Sequence, residues 1–497
     1  MRDRTSHACQ DRIMKKETLK TAPMEPVTVA SGFDGRRHPL VRWAFASTDI
    51  TPLAYFRIAF GAIMLWEVWR YFSYGWIDRY YIQPTFHFTY FGFGWVAPWP
   101  ESYTYVHFFL LGLLALCILI GLCYRVVMPL FFLGFTYVFL LDVAQYLNHF
   151  YLICLVSFLM IWIPAHRTLS MDAYWRPSLR ALTAPAWTLW LLRLQLGIAY
   201  FYAGIAKING DWLRGEPLRA WLATSTDFPL IGGWFREEWM VYGMAYGGLL
   251  LDLLIVPFLM WKRTYVYACL AGLLFHLMNA QLFSIGIFPW FMIAATLVLY
   301  YPYRWPNPAK LWRQGVARAS AGAGESNGFQ FITLTAIGVY MAIQLAMPFR
   351  HFLYPGNVSW TEEGHNFSWH MKLRDKASGV RFSVKDPQSG EQWKEDPLDY
   401  LTRRQYGKMS TRPDMILQFA HFLAQDYKKR GHDRAEVYAE AKASLNGREY
   451  QWLVDPKANL AAQPRSLGAS VWIVPLTTPL KNANKTGNRA QEGQQEE

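Results

Sequence analysis

Cysteine is scarce in this chain of 497 residues, and it stops early. The five are Cys9, Cys117, Cys123, Cys154 and Cys269, so no internal disulfide can form beyond residue 269. No C-x-x-C pair occurs, which leaves no zinc or thioredoxin-like motif. The five thiols read as small buried hydrophobes in helices. Charge is also short: Asp, Glu, Lys and Arg make up 17% of the chain, against about a quarter in soluble domains. No cleavable signal peptide is visible, and the first 50 residues read as polar and basic. No internal repeat is visible, which argues against the paired halves of a secondary transporter.

What the chain has instead is apolar sequence: 53% hydrophobic and 17% aromatic. Most long apolar runs fall between residues 50 and 348, and the sequence after 348 is mixed like an ordinary globular domain. A helix needs roughly 20 apolar residues to cross a bilayer. Candidate spans lie at 52–72, 104–122, 127–146, 149–164, 187–207, 239–260, 264–282, 284–302 and 329–348. The expected fold is a membrane α-helical bundle of about nine spans with a C-terminal extramembrane β-rich (α+β) domain. Its parts are a basic cytoplasmic segment (1–50), the transmembrane domain (51–348), the outer domain (349–480) and a disordered tail (481–497). A Gly/Ala/Ser linker is expected at 315–328. In the outer domain, Val380–Val384 and the turn at 386–390 predict a hairpin. Residues 411–430 predict an amphipathic helix, and strands are expected near 449–454 and 470–476.

Basic residues set the orientation. With the N-terminus inside, the inner segments carry 19 Lys and Arg and the outer loops carry Arg79, Arg214, Arg219 and Arg236. Nine spans then put the outer domain in a periplasm or an organelle lumen. The net charge of +13 thus reads as topology, and nucleic acid is a poor partner because the cations flank helices. The segment 73–103, rich in Trp, Tyr and Phe, suits the outer headgroup layer.

Ionisable residues inside spans are costly and therefore informative. Lys207 ends the fifth span. His276 and Asn279 are spaced i, i+3 in the seventh, and Asp142, Asn148 and His149 lie where the third and fourth spans meet. In the topology above all fall in the outer half of the membrane. Ala203 and Gly204 share the face of Lys207, which leaves room either for a ligand or for a close helix neighbour. A lone membrane His is as often a hydrogen-bonded packing residue, and a lone Lys often snorkels to the headgroups. Arg57, Arg193 and Asp252 read as structural pairs. The outer-domain charges read as a solvated surface.

Ala203-Gly204-Ile205-Ala206-Lys207-Ile208-Asn209-Gly210-Asp211-Trp212 resembles the Ala-Gly-x-x-Lys-Leu-x-x-Asp-Trp signature of the vitamin K-dependent γ-glutamyl carboxylases, part of the horizontally transferred transmembrane domain family. Phe275–Gly286, Gly121–Arg125 and Phe139–Asp142 leading to Asn148-His149 are similar to further blocks. His351-Phe352-Leu353, Trp360-Thr361 and Phe367-Ser368-Trp369 look like the segment around the glutamate substrate. The likeness runs from about residue 45 to 476, in order.

The resemblance implies an enzyme, a carboxylase/epoxidase-like lyase. It implies reduced vitamin K (menaquinol or phylloquinol) as cofactor, O2 and CO2 as co-substrates, and no metal. The quinol gives up a proton and reacts with oxygen, the resulting base removes a glutamate γ-proton, and the carbanion captures CO2. Lys207 matches the base, and desolvation would make its neutral form accessible. His149 matches a second catalytic position. Asn148, His276, Asn279, Asp142 and Tyr200 match the quinone surroundings, and His351, Leu353, Trp360 and Trp369 the peptide substrate site. Ala206-Lys207 replaces the Lys-Lys pair of animal members, and the chain is shorter than theirs. A bacterial inner-membrane homologue is expected, with a lipid quinone and a glutamate-containing protein or peptide as partners. Three alternatives stand beside it: a quinol epoxidase without carboxylation, an electron-transfer protein holding haem through His107, His149 and His276, and a non-catalytic membrane receptor. The second lacks paired histidines at repeated helical spacing.

Overall fold

A computed structural model describes residues 38–283, 285–300 and 326–480. The basic stretch before residue 38, the linker as far as 325 and the tail from 481 lie outside the described residues. Among those described, a helix stands at each expected span: α1 (Thr51–Ser73), α2 (Glu101–Ile120), α3 (Tyr124–Leu140), α4 (Asn148–Trp162), α5 (Ala186–Lys207), α6 (Glu238–Met260), α7 (Tyr265–Phe283), α8 (Phe288–Leu299) and α9 (Asn327–Ala346).

Five of them are long and apolar enough to cross a membrane: α2, α5, α6, α7 and the run from α9 to Leu353. The chain is thus a multi-pass membrane protein. The count of nine does not stand on the same footing. Helices α3, α4 and α8 are apolar but have only 17, 15 and 12 residues. Helix α1 has 23 residues but carries Arg57, Glu67 and Arg70.

Local chemistry sets the helix ends. Pro52 and Pro289 sit in the first turns of α1 and α8, where a missing N–H costs nothing. Gly121 closes α2 with φ of 69°, a left-handed cap that favours glycine. Beside it, buried Arg57 donates to the carbonyls of Ile118 (2.6 Å) and Leu119 (2.8 Å), and also to Leu169 (2.5 Å) and Ala165 (3.2 Å). Arg193 likewise donates to the Leu299 carbonyl at 2.7 Å. Both cations serve backbone carbonyls, at helix ends and, for Arg57, also in the loop after α4, rather than carboxylates. The expectation of structural roles is met, with a different partner.

The C-terminal region folds around an antiparallel sheet of β1 (Lys376–Lys385), β2 (Gln392–Glu395), β3 (Glu436–Leu445) and β4 (Gln451–Trp452). The strand order is β2-β1-β3-β4. The expected hairpin is the β1–β2 pair, with Val384 opposite Trp393. Phe382 faces Ala439 and Val384 faces Val437 across β1–β3. Two short helices, α10 (Arg403–Met409) and α11 (Pro413–Lys429), follow β2. Helix α11 covers the sheet, where Phe419 meets Phe382 edge to face at 5.0 Å. Near 470–476 a single bridge, Val454 to Ile473, takes the place of a full strand.

Polar contacts fasten this region to the loops of the helical part. Gln405 donates to Asp142 (2.9 Å) and to the Phe86 carbonyl (2.8 Å). Arg448 grips Asp211 with two bonds of 2.6 Å, and Asn446 adds a third at 2.8 Å. Burial would raise the Asp211 pKa, but the Arg448 and Asn446 hydrogen bonds outweigh it and hold it below the usual carboxylate value. The motif residue Asp211 therefore clasps the outer region over the end of α5.

Candidate active site

Lys207 is the last residue of α5. Gly204, one turn earlier, faces α6: a Cβ there would come within 2.6 Å of the Leu253 side chain. The glycine therefore serves close helix packing and leaves no ligand space. That approach brings Asp252 of α6 to Lys207, with Nζ and Oδ2 at 2.5 Å and both side chains buried. Lys207 lies 5.4 Å from the Trp212 ring centroid, and Trp212 is held by its indole bond to the Ala245 carbonyl at 2.9 Å. Two desolvated charges are tolerable only when each neutralises the other at such range. The amine expected to be made neutral by desolvation thus also has a carboxylate partner.

The pair borders a cavity of about 380 Å³ between α5, α6, α7 and α8, with mostly apolar walls. Its volume suits a small-molecule site. Tyr200, His276 and Asn279 also border it. Tyr200 Oη shares hydrogen bonds with His276 Nε2 (2.7 Å) and Thr296 Oγ1 (3.2 Å). The other ring nitrogen of His276, buried Nδ1, has no protein partner among the described residues. Apolar walls with a tyrosine–histidine pair and one unsatisfied imidazole nitrogen fit a quinone head group, which is flat, apolar and edged by two oxygens.

A second cavity, about 600 Å³, adjoins the first and shares Phe283, Ile285, Phe288, Met371 and Lys372 with it. His149 and Asn148 line this larger chamber. Phe288 stands between the two imidazoles, with ring centroids 5.8 Å from His149 and 6.1 Å from His276. Asn148 donates to the His370 carbonyl at 3.1 Å and accepts from Tyr146 Oη at 2.8 Å.

The chamber is strongly cationic. Arg70, Lys372, Arg374, Lys376, Arg404, Lys408 and Arg412 line it, and Glu67, already bound to Arg70 at 2.6 Å, is the one acid among the lining residues. Several of these cations already have a protein partner for part of their donors. Arg374 binds Glu362 at 2.6 Å and also His365. Lys376 donates to the Trp360 carbonyl at 2.5 Å, and burial pushes its pKa down to about 7. Arg404 holds Gln145 at 2.7 Å. These side chains were expected on a solvated surface. Arg404 and Lys408 were the available signal, since residues four apart share a helix face, and Arg412 joins them from the N-cap of α11.

The other expected site residues fall elsewhere. Asp142 borders neither cavity; it caps a short 3-10 turn through Ala144 (2.8 Å) and anchors Gln405. Trp360 is fully buried and bonds the Val474 carbonyl at 2.7 Å, and Trp369 is buried against Tyr151. Trp360 thus packs inside the C-terminal region, and Trp369 packs the joint between the two regions. Leu353 is 83% exposed and outside both cavities. His351 bonds the Pro348 carbonyl at 2.7 Å and contacts the His370 ring at 4.8 Å, one step from the chamber wall. Asp252 and the seven chamber cations are the site residues that the sequence alone did not assign.

Residues 45–305 match the HTTM domain. Residues 329–479 match the lumenal domain of vitamin K-dependent gamma-carboxylase. The chain belongs to the vitamin K-dependent γ-carboxylase family. The ordered motifs had pointed there, and the two matches together take in both the helical part and the sheet-bearing region. No solved structure matches the chain. The family supports a vitamin K-dependent carboxylase-like role, and it is one that implies vitamin K hydroquinone, O2 and CO2 as substrates and glutamate as the group acted on.

Proposed function

We propose that this protein couples epoxidation of a reduced lipid quinone by O2 to carboxylation of protein glutamate with CO2. The observation that carries the reading is the buried Lys207–Asp252 pair on the wall of an apolar cavity next to a cationic chamber. When bound, the quinol supplies with oxygen the strong base that glutamate deprotonation needs.

The protein's own residues prepare that chemistry. The 2.5 Å link sets amine and carboxylate within reach of a direct proton transfer. With the proton on Asp252, Lys207 offers a lone pair to the cavity and can take a quinol proton. Asp252 aims the amine and receives the proton that the amine must give up first. The Tyr200–His276 bond fixes one ring nitrogen of His276 and frees the other for a quinone oxygen. His149 and Asn148 stand at the junction of the two cavities. In the chamber, Arg70, Lys372 and Arg404 attract a glutamate carboxylate. Apolar walls keep bulk water from quenching a strong base.

The lumenal-domain match supports an extracytoplasmic C-terminal region, and the basic-residue bias supports a cytoplasmic N-terminus. We assign residues 51–348 to the membrane, 349–480 to the outside, and the whole to a bacterial inner membrane. The test is Lys207→Ala in membranes supplied with vitamin K hydroquinone and O2. Epoxide formation should fall at least a hundredfold, an expectation from typical losses of a positioned base. Unchanged turnover would sink the assignment.

A further inference from the structure

Lys408 has no part in the scheme above, and its surroundings are unusual for an amine. It sits on α10 and lines the larger chamber. No carboxylate pairs with it among the described residues. The charged groups acting on it most strongly are all cations: Arg412, Arg404 on its own helix, Arg374 and Lys372. Glu67, the chamber's one acidic lining residue, is committed to Arg70. The neighbouring amines differ. Lys376 is held by the Trp360 carbonyl and lies 3.6 Å from Glu362. Lys372 lies over the Phe283 and Trp221 rings at 5.0 and 5.6 Å.

We infer that Lys408 is a reversible CO2-capturing residue, whose amine forms a carbamate inside the cationic chamber. The nitrogen lone pair attacks the carbon of CO2. A new N–C bond forms, one C–O π pair moves onto oxygen, and a proton leaves the nitrogen for water. The product carries one negative charge in place of a neutral amine. Two physical conditions favour it. Surrounding positive charge disfavours the ammonium, so the reactive neutral amine is available. The same positive charge stabilises the carbamate anion through charge-assisted hydrogen bonds from guanidinium groups such as Arg404 and Arg412. Burial first, and then the four cations, push the Lys408 pKa down to about 7, where an ordinary lysine stays charged to pH 10. Protonation reverses the step and releases CO2 within the chamber, which shares part of its lining with the first cavity. This inference rests on the proposed function only in taking CO2 as the available reactant.

The test needs neither quinone nor turnover, so it fails or succeeds independently of the proposed function. Purified full-length protein is equilibrated with 13C-labelled CO2 and bicarbonate at pH 7.5. It is then treated with triethyloxonium, which ethylates carbamates irreversibly, and its peptides are read by mass spectrometry. The expected result is trapped label on the Lys408 peptide, about tenfold or more above exposed Lys428 and Lys429, given the larger neutral fraction. Lys408→Arg should remove it, since a guanidinium keeps the charge without the nucleophile. Label should fall as pH drops from 8 to 6, because the amine becomes protonated. Label on Lys408 no higher than on Lys428 and Lys429 in the wild-type chain would overturn the inference, and that comparison needs no variant to fold.

Discussion

Breaking the Lys207–Asp252 pair separates what it does for stability from what it does for chemistry. Both side chains are buried and 2.5 Å apart. Lys207→Met leaves a buried carboxylate uncompensated, and Asp252→Leu leaves a buried ammonium. Removing one partner of such a pair costs about 3–5 kcal/mol. Replacing both by apolar residues of similar size is often neutral, because the desolvation cost of each charge disappears with its partner. The double variant should therefore be more stable than either single one, by roughly 2–4 kcal/mol on the same basis. The assay is thermal unfolding of the four proteins in one detergent or nanodisc, run beside quinol epoxidation. Stability should recover in the double variant while epoxidation stays abolished, because no amine remains. A double variant as unstable as the singles would refute the pairing. One that regains turnover would refute the role of the amine.

Other expectations follow from the same geometry. Gly204→Ala should push Leu253 away and part α5 from α6, costing about 1–3 kcal/mol by overpacking and lowering epoxidation more than unfolding temperature predicts. Arg404→Gln should raise KM for a glutamate peptide about tenfold or more, the worth of one charge-assisted bond. The KM for quinol should stay unchanged. The Asp211–Arg448 clasp should matter by pH: with Asp211 held below its ordinary value of 3.8, its contribution is complete above that value. It is lost as pH falls through the depressed value. Unfolding followed as pH falls below 3.8 should show this acid sensitivity in the wild type and not in Arg448→Leu. Val471→Cys, at a position 93% exposed, should react with an impermeant thiol reagent from outside intact spheroplasts. Labelling only after lysis would reverse the topology.

Much of the architecture was legible because a bilayer imposes a coarse rule: long apolar runs become helices. The rule says less about length: α3, α4 and α8 are apolar helices of only 12–17 residues. Within the site, Lys207, His276 and Asn279 could be found because polar groups in apolar runs stand out. The partner of Lys207 could not, since nothing in a sequence says which helix face Gly204 opens to. Trp360 and Trp369 were expected at the peptide substrate site, yet both are buried, Trp360 within the C-terminal region and Trp369 against Tyr151 of α4. The cationic chamber was hidden for the opposite reason. Charges on a short helix such as α10 look solvated until a second region closes over them, and the Arg448–Asp211 and Gln405–Asp142 contacts that do so join residues more than 200 positions apart.

The most direct test of the central claim counts two products in one reaction. Wild-type membranes receive reduced vitamin K, O2, labelled CO2 and a glutamate peptide, and epoxide and peptide-bound label are measured separately. Both products should appear, both should require the quinol, and peptide-bound label should never exceed epoxide. Label fixed without quinol, or neither product from folded protein, would contradict the account.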